Sequence, residues 1–260
     1  MVKEILRVLI VQPDIHWKDI LHNLNHYTDL LKSFEGQVDL ILLPEMFNTG
    51  YLTTPGDISP EMQQKTVSWL QEKATAYNCS IAGSMIFKQH QHYYNRLICV
   101  HPDAEINLYN KRHLFSIGGE LKHFTRGTKR TVSIIQGWRI CWQVCYDIRF
   151  PVWSRSRDDY DILVYVANWP AQRSAVWKTL LKARAIENQS YVIGVNRIGR
   201  DGNQIEYIGE SSAIDPKGNV ISMADTPAEK LFMAELSYSR LIDFREKFPV
   251  LKDRDDFTIL

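Results

Sequence analysis

A thiol, a carboxylate and an ammonium group that could act together occur in this 260-residue chain at Cys145, Glu45 and Lys111. Hydrolysis of an amide through an acyl-enzyme needs a nucleophile and a base that takes its proton and later activates water. It also needs positive or N–H groups that face the developing oxyanion. The three side chains can supply this chemistry without a metal or a histidine, provided that the fold brings them together.

Cys145 ends the apolar run WRICWQVC and is followed by YDIRFP, in which Pro151 is expected to open a helix. The thiol would then lie on a strand-to-helix turn, where a helix N-terminus and a nearby cation can favour the thiolate. A free cysteine is more often a small buried hydrophobe. We assign Cys79, Cys99 and Cys141 to that structural class and keep Cys145 as the candidate nucleophile.

Glu45 and Lys111 each follow a predicted strand. Glu45 comes directly after DLILLP, at the kind of carboxyl-terminal edge where α/β sheets bind ligands, and Lys111 comes directly after INLYN. On position alone, Glu45 is as well explained as an exposed or helix-N-terminal carboxylate. Lys111, beside Arg112 and His113, is more typical of solvated surface. The two residues point to catalysis only as a set with Cys145.

Three segments resemble the catalytic motifs of a known family. LLPEMFNTGY, YNKRHLF and CWQVCYDIRFP contain Glu45, Lys111 and Cys145, and they are similar in order and separation to the three motifs of the nitrilase superfamily of carbon-nitrogen hydrolases. The similarity continues through NWPAQRSAVWKTLLKARAIENQSYVIGVNRIGRDG and covers nearly the whole chain to about residue 222. The combination is far more specific than any one of these motifs.

The resemblance implies a role for each matched residue. Glu45 would be the general base, Lys111 would stabilise the oxyanion, and Cys145 would be the nucleophile. The backbone N–H of Tyr146 would complete the oxyanion hole. Glu120, in GGELKHFTRG, matches a second glutamate that often positions the substrate and the lysine in this family. An exposed loop carboxylate is the alternative for Glu120.

The fold class predicted from apolar patterns is mixed α/β. Helical periodicity occurs at 17–34, about 60–78 and about 173–188, between strand-like runs that form both crossovers and hairpins, and no internal repeat is visible. The resemblance implies more, namely a four-layer αββα sandwich of the nitrilase type, which usually forms homodimers or higher homo-oligomers. We expect a single domain over residues 1–260, with a tail from about residue 240 that is a candidate for contact with a partner subunit.

Within the family, NKRHLF, NWPAQR and ARAIENQ are most similar to the ω-amidase branch, which hydrolyses the terminal amides of 2-oxoglutaramate and 2-oxosuccinamate. Such substrates carry a carboxylate that Arg173 could bind bidentately, although a surface arginine at a helix start is the alternative. Phe115 and Trp169 are candidates for the pocket wall, unless they are core aromatics. Arg149 is expected to be structural, and Val152 stands where related sequences frequently have an acidic residue.

Two other functions stay open at this point. The chain could be another amidase of the family, acting on a deaminated-peptide amide or an N-carbamoyl amine. It could also be a non-catalytic member that keeps the sandwich as a binding module. Hydrolysis of nitriles is less expected, because it describes only a minority branch of the superfamily.

The composition limits the partners and the compartment. Thirty-one basic and thirty acidic side chains give a net charge of +1, so we expect a small-molecule amide substrate and neither nucleic acid nor a membrane surface. Four cysteines are too few for a disulfide framework, which favours a reducing cytoplasm. No apolar run approaches the roughly 20 residues of a bilayer span. The eight histidines, including His113 and His123, lack a ligand spacing, so no metal or other cofactor is expected.

Overall fold

Fourteen strands and five α-helices occupy the part of the chain that the structure, a computed structural model, describes, which is residues 1–56, 58–224 and 227–259. The strands are β1 (Ile5–Gln12), β2 (Leu40–Leu42), β3 (Ser80–Gln89), β4 (His92–Val100), β5 (Ile106–Asn110), β6 (Val132–Ile135), β7 (Trp138–Val144), β8 (Ile162–Val166), β9 (Tyr191–Val195), β10 (Ile198–Arg200), β11 (Glu206–Ile208), β12 (Ser212–Ile214), β13 (Val220–Met223) and β14 (Lys230–Ser237). The helices are α1 (Ile20–Lys32), α2 (Pro60–Ala76), α3 (Pro151–Ser154), α4 (Ser174–Asn188) and α5 (Tyr238–Lys247).

The two six-stranded sheets share one arrangement. The first has the strand order β14-β1-β2-β3-β4-β5, and the second has the order β6-β7-β8-β9-β12-β13. In each sheet three neighbouring strands run parallel, β1-β2-β3 and β7-β8-β9. The strands outside these triplets pair antiparallel. The fold therefore contains a topological repeat that the amino-acid sequence does not reveal.

The sheets pack face to face, with helices on their outer faces. One cluster of buried side chains lies between the sheets and joins Ile10 of the first sheet to Trp142 of the second. A second cluster joins the first sheet to α1 and α2 through Leu24 and Leu70. A third joins the second sheet to α4 through Leu181. This layering confirms the αββα sandwich predicted from the sequence.

Capping residues explain where two helices begin. The apolar periodicity starts at Trp17, but α1 begins only at Ile20, because the side chain of Asp19 accepts a backbone hydrogen bond from the first turn. The predicted helix at about 60–78 is α2, which begins at Pro60 after the capping hydroxyl of Ser59. Proline suits this position because its fixed φ is already helical and its missing N–H has no partner to lose.

Two parts of the fold were not predicted from the sequence. One is the β10–β11 hairpin, a separate two-stranded sheet. The other is β14, which pairs with β1 along its whole length, from Ser237 opposite Ile5 to Lys230 opposite Gln12. Periodicity describes a single segment, so it cannot reveal a pairing between residues more than 200 positions apart.

The tail from about residue 240 lies against its own chain. Leu241 of α5 is buried in the cluster between the sheets, and Ile259 packs against the same cluster. Arg245 forms an ion pair with Asp161 at 2.9 Å, next to the start of β8. Contact of this tail with a partner subunit stays a prediction.

Candidate active site

The strand ends bring four of the sequence-predicted residues together. Glu45 lies just beyond β2 and Lys111 directly follows β5, and these two strands run in the same direction in the first sheet. Cys145 directly follows β7 in the facing sheet. Glu120 joins them from the loop after β5. The resulting cluster lies where the carboxyl-terminal edges of the two sheets meet.

Lys111 lies between two buried carboxylates. Its Nζ atom is 2.9 Å from Glu45 Oε1 and 2.9 Å from Glu120 Oε1, and none of the three side chains is more than 1% exposed. Burial by itself would lower the pKa of Lys111, but the carboxylates of Glu120 and Glu45 outweigh it, so the pKa lies well above its ordinary value. Lys111 is therefore a fixed positive charge inside the protein and not a solvated surface lysine.

Glu45 is held by donors on both of its oxygens. Oε1 accepts from Asn95 Nδ2 at 2.7 Å as well as from Lys111, and Oε2 accepts from the backbone N–H of Asn168 at 2.9 Å. The side-chain oxygen of Asn95 in turn accepts from Ser84 Oγ at 2.8 Å, which orients the amide. Every contact donates to Glu45, which fits the ionised carboxylate that a general base must be.

Glu120 fixes the loop that follows β5. It begins a short 3-10 helix, Glu120–Lys122, after Gly119, whose φ of 89° is readily adopted by glycine. Its Oε2 atom accepts from the backbone N–H of Phe115 at 2.6 Å, while Oε1 contacts Lys111. Glu120 is fully buried. The alternative of an exposed loop carboxylate is therefore excluded.

Cys145 occupies a strained turn between β7 and α3. It begins the 3-10 helix Cys145–Arg149 with a φ of 44°, a left-handed conformation that residues other than glycine rarely adopt. The thiol donates a hydrogen bond to the backbone oxygen of Asn168, with Sγ 3.9 Å from that atom, and it lies near enough to the Glu45 carboxylate to be affected by its charge. Pro151 opens α3, as the sequence predicts. The nucleophile candidate is thus presented on a strand-to-helix turn.

The protonation state of the resting thiol differs from the sequence-based expectation. Burial and the neighbouring Glu45 carboxylate raise the pKa of Cys145 well above its ordinary value, and the opposing effect of Lys111 is smaller. The expected preference for a thiolate is therefore wrong for the resting site. The reason is that the positive charge of Lys111 is already balanced by two carboxylates, Glu45 and Glu120.

A cavity of about 200 Å³ opens onto this cluster. Lys111 and Cys145 line one part of it, and the aromatic rings of Phe115, Tyr146 and Trp169 line another. Phe115 and Tyr146 meet edge to face, with their ring centroids 5.1 Å apart. The structure thus places both of the predicted wall aromatics, Phe115 and Trp169, beside the thiol.

Two arginines line the same cavity. The guanidinium carbon of Arg173 lies 5.2 Å from the ring centroid of Phe115, and that of Arg149 lies 5.2 Å from the ring centroid of Trp169. Neither guanidinium has a carboxylate partner among the residues that the structure describes. Sequence reasoning expects a structural role for Arg149, but the structure places it in the cavity wall. Val152 lies outside the wall and is exposed on α3.

Sequence reasoning did not single out several residues of the site. Asn95 and Asn168 hold Glu45, and the Oδ1 atom of Asn168 and the hydroxyl of Tyr51 are buried without a hydrogen-bond partner among the described residues. Tyr51 and Asn168 stand inside the quoted segments LLPEMFNTGY and NWPAQR, so their position was a usable signal. The β10–β11 hairpin contributes Asn203, Ile205 and Tyr207 to the cavity. The turn sequence Asp201-Gly202 was the signal for that hairpin.

Neither a metal-binding cluster nor a membrane-spanning helix occurs among the described residues. Within residues 1–56, 58–224 and 227–259, no group of three or more His, Cys, Asp or Glu side chains is arranged to hold a metal ion. Over the same ranges, no helix has both the length and the apolar character that crossing a membrane requires.

Relatives with assigned activities match the chain over nearly its whole length. Omega-amidase YafV of Escherichia coli (strain K12) is 43% identical over 254 residues, which cover 98% of this chain and 98% of that protein. The 2-oxoglutaramate amidase of Bacillus subtilis (strain 168) is 31% identical over 248 residues, which cover 94% and 95% of the two chains.

Solved structures and a family model agree with these matches. The crystal structure of XC1258 from Xanthomonas campestris, described as a CN-hydrolase superfamily protein, superimposes with a TM-score of 0.92 at 38% identity and covers 99% of this chain and 100% of that chain. Nit3 of Saccharomyces cerevisiae, at 23% identity and a TM-score of 0.85 over 96% of each chain, shares the fold. The carbon-nitrogen hydrolase model matches residues 7–246. The chain therefore belongs to the carbon-nitrogen hydrolase family.

Proposed function

We propose that the protein is an ω-amidase, which hydrolyses the terminal carboxamide of a small 2-oxo acid, 2-oxoglutaramate or 2-oxosuccinamate, to the 2-oxo diacid and ammonia. The observation that carries this proposal is that the thiol of Cys145 and the guanidinium groups of Arg149 and Arg173 line the same cavity. The full-length similarity to an omega-amidase and to a 2-oxoglutaramate amidase supports the same assignment.

The arginines support a substrate with a carboxylate. A guanidinium group binds a carboxylate through two parallel N–H donors, and Arg173 and Arg149 both present such donors to the cavity without an internal carboxylate partner among the described residues. The aromatic rings beneath them hold each guanidinium in place. A cavity of about 200 Å³ suits a short linear molecule and not a long peptide. We propose that Arg173 binds the substrate carboxylate and that Arg149 forms a second contact with it.

The acylation step begins with the neutral thiol of Cys145. Sγ attacks the amide carbonyl carbon while Glu45 takes the thiol proton, which the position of the Glu45 carboxylate beside Cys145 permits. Lys111 and the backbone N–H of Tyr146 face the oxyanion; Tyr146 belongs to the first turn of a 3-10 helix, where N–H groups have no intrahelical acceptor. Glu45 then returns the proton to the nitrogen, the carbon–nitrogen bond breaks, and ammonia leaves a Cys145 thioester.

The deacylation step uses the same base. Glu45 takes a proton from water, the resulting hydroxide attacks the thioester carbon, and Cys145 leaves and recovers a proton from Glu45. Glu120 acts through Lys111 in this proposal, because among the described residues its carboxylate accepts hydrogen bonds from Lys111 Nζ and the backbone N–H of Phe115 and from no other group. It keeps the ammonium group beside the oxyanion position throughout the cycle.

A substrate comparison tests this function. Purified protein should release ammonia from 2-oxoglutaramate, and much less from its methyl ester, because the ester lacks the charge that the arginines bind. Losing a hydrogen bond to a charged group costs ~1.5–3 kcal/mol, so Arg173→Met should raise KM for 2-oxoglutaramate by about 10- to 150-fold and leave KM for the ester nearly unchanged. Arg240→Met, on the exposed side of α5, is the matched control.

Other outcomes of this comparison would reject the proposal. Equal turnover of the acid and the ester would mean that the arginines do not select a carboxylate. Turnover only of a deaminated-peptide amide or of an N-carbamoyl amine would assign the chain to another amidase of the family. No turnover of any amide would favour the non-catalytic binding module.

We further propose that residues 1–260 form a single domain that assembles as a homodimer in the cytoplasm. The shared core between the two sheets, which includes residues from β1 through α5, supports one folding unit. Light scattering after size-exclusion chromatography tests the dimer, since a monomer mass would reject it.

A further inference from the structure

We infer that Asp147 is a positioning residue that sets the distance between Lys111 and Cys145. Asp147 is fully buried, and its carboxylate accepts four hydrogen bonds from two different parts of the chain. One part, from Tyr109 to His113, contains Lys111, and the other, beginning at Val144, contains Cys145. The inference rests on the proposed roles of Lys111 and Cys145, but not on the identity of the amide.

The Oδ1 atom of Asp147 binds the segment after Lys111. It accepts from the backbone N–H of His113 at 2.9 Å and contacts His113 Nδ1 at 2.8 Å. His113 is only two residues beyond Lys111, and its ring stacks on Phe150 with the centroids 3.8 Å apart. The main chain of this segment is thereby fixed relative to the turn that carries the thiol.

The Oδ2 atom of Asp147 binds on both sides of the site. It accepts from the backbone N–H of Val144 at 3.0 Å, which closes the turn around Cys145, and from the hydroxyl of Tyr109 at 2.7 Å. The hydroxyl of Tyr109 also accepts from the backbone N–H of Arg112 at 3.3 Å. The residues immediately before Cys145 and immediately after Lys111 are thus joined through a single carboxylate group.

This link bears on the strained conformation of Cys145. A non-glycine residue with positive φ costs on the order of 1–3 kcal/mol and persists only where its surroundings hold it. The bond from Val144 N–H to Asp147 spans Cys145 directly, so it is the contact best placed to hold the φ of 44°. Without it, the thiol would be free to turn away from Glu45 and Lys111.

The network does not contact the substrate itself. Asp147, His113 and Tyr109 are not among the residues that line the cavity, whereas Lys111 and Cys145 are. A loss of this network should therefore lower kcat more than it raises KM, because binding groups such as Arg173 stay in place.

The experiment compares two replacements of His113 in the full chain. His113→Asn can keep a donor, because the Nδ2–H of asparagine occupies nearly the same place as the Nδ1–H of histidine, whereas His113→Ala keeps none. We expect His113→Ala to lower kcat for 2-oxoglutaramate by roughly tenfold or more, with KM changed less than about twofold, and His113→Asn to recover most of the loss. His123→Ala, an exposed histidine on the same loop, should behave as wild type.

Three results would overturn the inference. One is an unchanged kcat in His113→Ala with only a lower melting temperature, and another is an equal loss in the alanine and asparagine variants. If the wild type releases no ammonia, the ω-amidase proposal alone is rejected, and the alkylation rate of Cys145 by iodoacetamide replaces kcat as the measured rate. The third result is then an equal alkylation rate in the two His113 variants, which would reject the positioning role. If His113→Ala fails to fold, Tyr109→Phe removes one bond to Asp147 and should lower the same rates less severely.

Discussion

At the scale of single residues, the proposed nucleophile, Cys145, is a neutral thiol beside the proposed base, Glu45. Burial, together with the neighbouring Glu45 carboxylate, raises the pKa of the Cys145 thiol well above its ordinary value. An enzyme with a preformed thiolate would need a surplus of positive charge around the sulfur. Here the charge of Lys111 is shared between Glu45 and Glu120, so we propose that the proton leaves the thiol only as the substrate is attacked.

The alkylation of the free protein should report this thiol pKa. We expect the rate at which iodoacetamide modifies Cys145 to keep rising through pH 9, the ordinary value for a thiol, because the thiolate fraction is still increasing there. Glu45→Gln removes the neighbouring negative charge and should shift the profile to lower pH. Mass spectrometry identifies the modified cysteine, and Glu61→Gln on α2 is the exposed control. A plateau below pH 8 in the wild type would contradict this description of the site.

The identity of the main site residues was predictable at this scale, but their environment was not. Short sequence motifs contain all four of them, namely Glu45, Lys111, Glu120 and Cys145. Asn168 also stands in such a motif, but its role in holding Glu45 could not be predicted, because these contacts cross from one sheet to the other. The balance of charge that keeps the thiol neutral also depends on distances that no linear pattern contains.

At the scale of secondary-structure elements, the sequence predicts best what is local and strongly apolar. The strand β7 and the helix α4 were predicted with nearly the observed bounds. The β10–β11 hairpin was missed because its strands are only three residues long, too short for a clear alternation. The prediction of the site was therefore incomplete, since this hairpin supplies part of the cavity wall.

The contact between β9 and α4 gives a test at this scale. A Cβ atom added to Gly194 in β9 would lie 2.6 Å from Leu181 Cδ1 and 2.7 Å from Trp177 Cζ2, both in α4. Gly194→Ala should therefore destabilise the protein by ~1–3 kcal/mol, as overpacked core positions do. Gly56→Ala is the matched control, because an added Cβ meets nothing within 4 Å there. Urea denaturation measures both, and an unchanged free energy of unfolding in Gly194→Ala would contradict the described packing.

At the scale of the whole molecule, the site belongs to neither sheet alone. The first sheet supplies Glu45 and Lys111, and the second supplies Cys145 and Asn168. The facing sheets must pack correctly before the proposed chemistry is possible. Sequence resemblance indicated this sandwich, but local patterns could not, because the β1–β14 pairing and the shared topology of the two sheets depend on contacts between distant segments.

One ion-pair cluster ties the C-terminal helix to the second sheet and makes stability depend on pH. Asp161 is buried and contacts Arg139 at 2.7 Å and Arg245 at 2.9 Å. Burial would raise the pKa of Asp161, but its hydrogen bonds and charge interactions with these arginines outweigh it and lower the pKa below 3.8. The stabilisation is therefore present above pH 3.8 and is lost as the pH falls through the lower, folded-state pKa.

Asp161→Asn should reveal this dependence. The difference in free energy of unfolding between wild type and Asp161→Asn should be largest well above pH 3.8 and should shrink as the pH falls below it. Asp256→Asn, in the exposed part of the tail, should show little difference at any pH. Urea denaturation across the pH range measures both variants. A difference that grows as the solution becomes more acidic would reverse the sign and contradict the assignment.

The most direct test of the central claim is ammonia release from 2-oxoglutaramate by the wild type, Glu45→Gln and Cys145→Ala. Glu45→Gln keeps the shape of the side chain but removes the base, so the rate should fall by roughly 10²- to 10⁴-fold. Cys145→Ala should have no measurable turnover, because the thioester cannot form. Near-full activity in either variant, or no ammonia from the wild type, would contradict an ω-amidase that uses Cys145 as nucleophile and Glu45 as base.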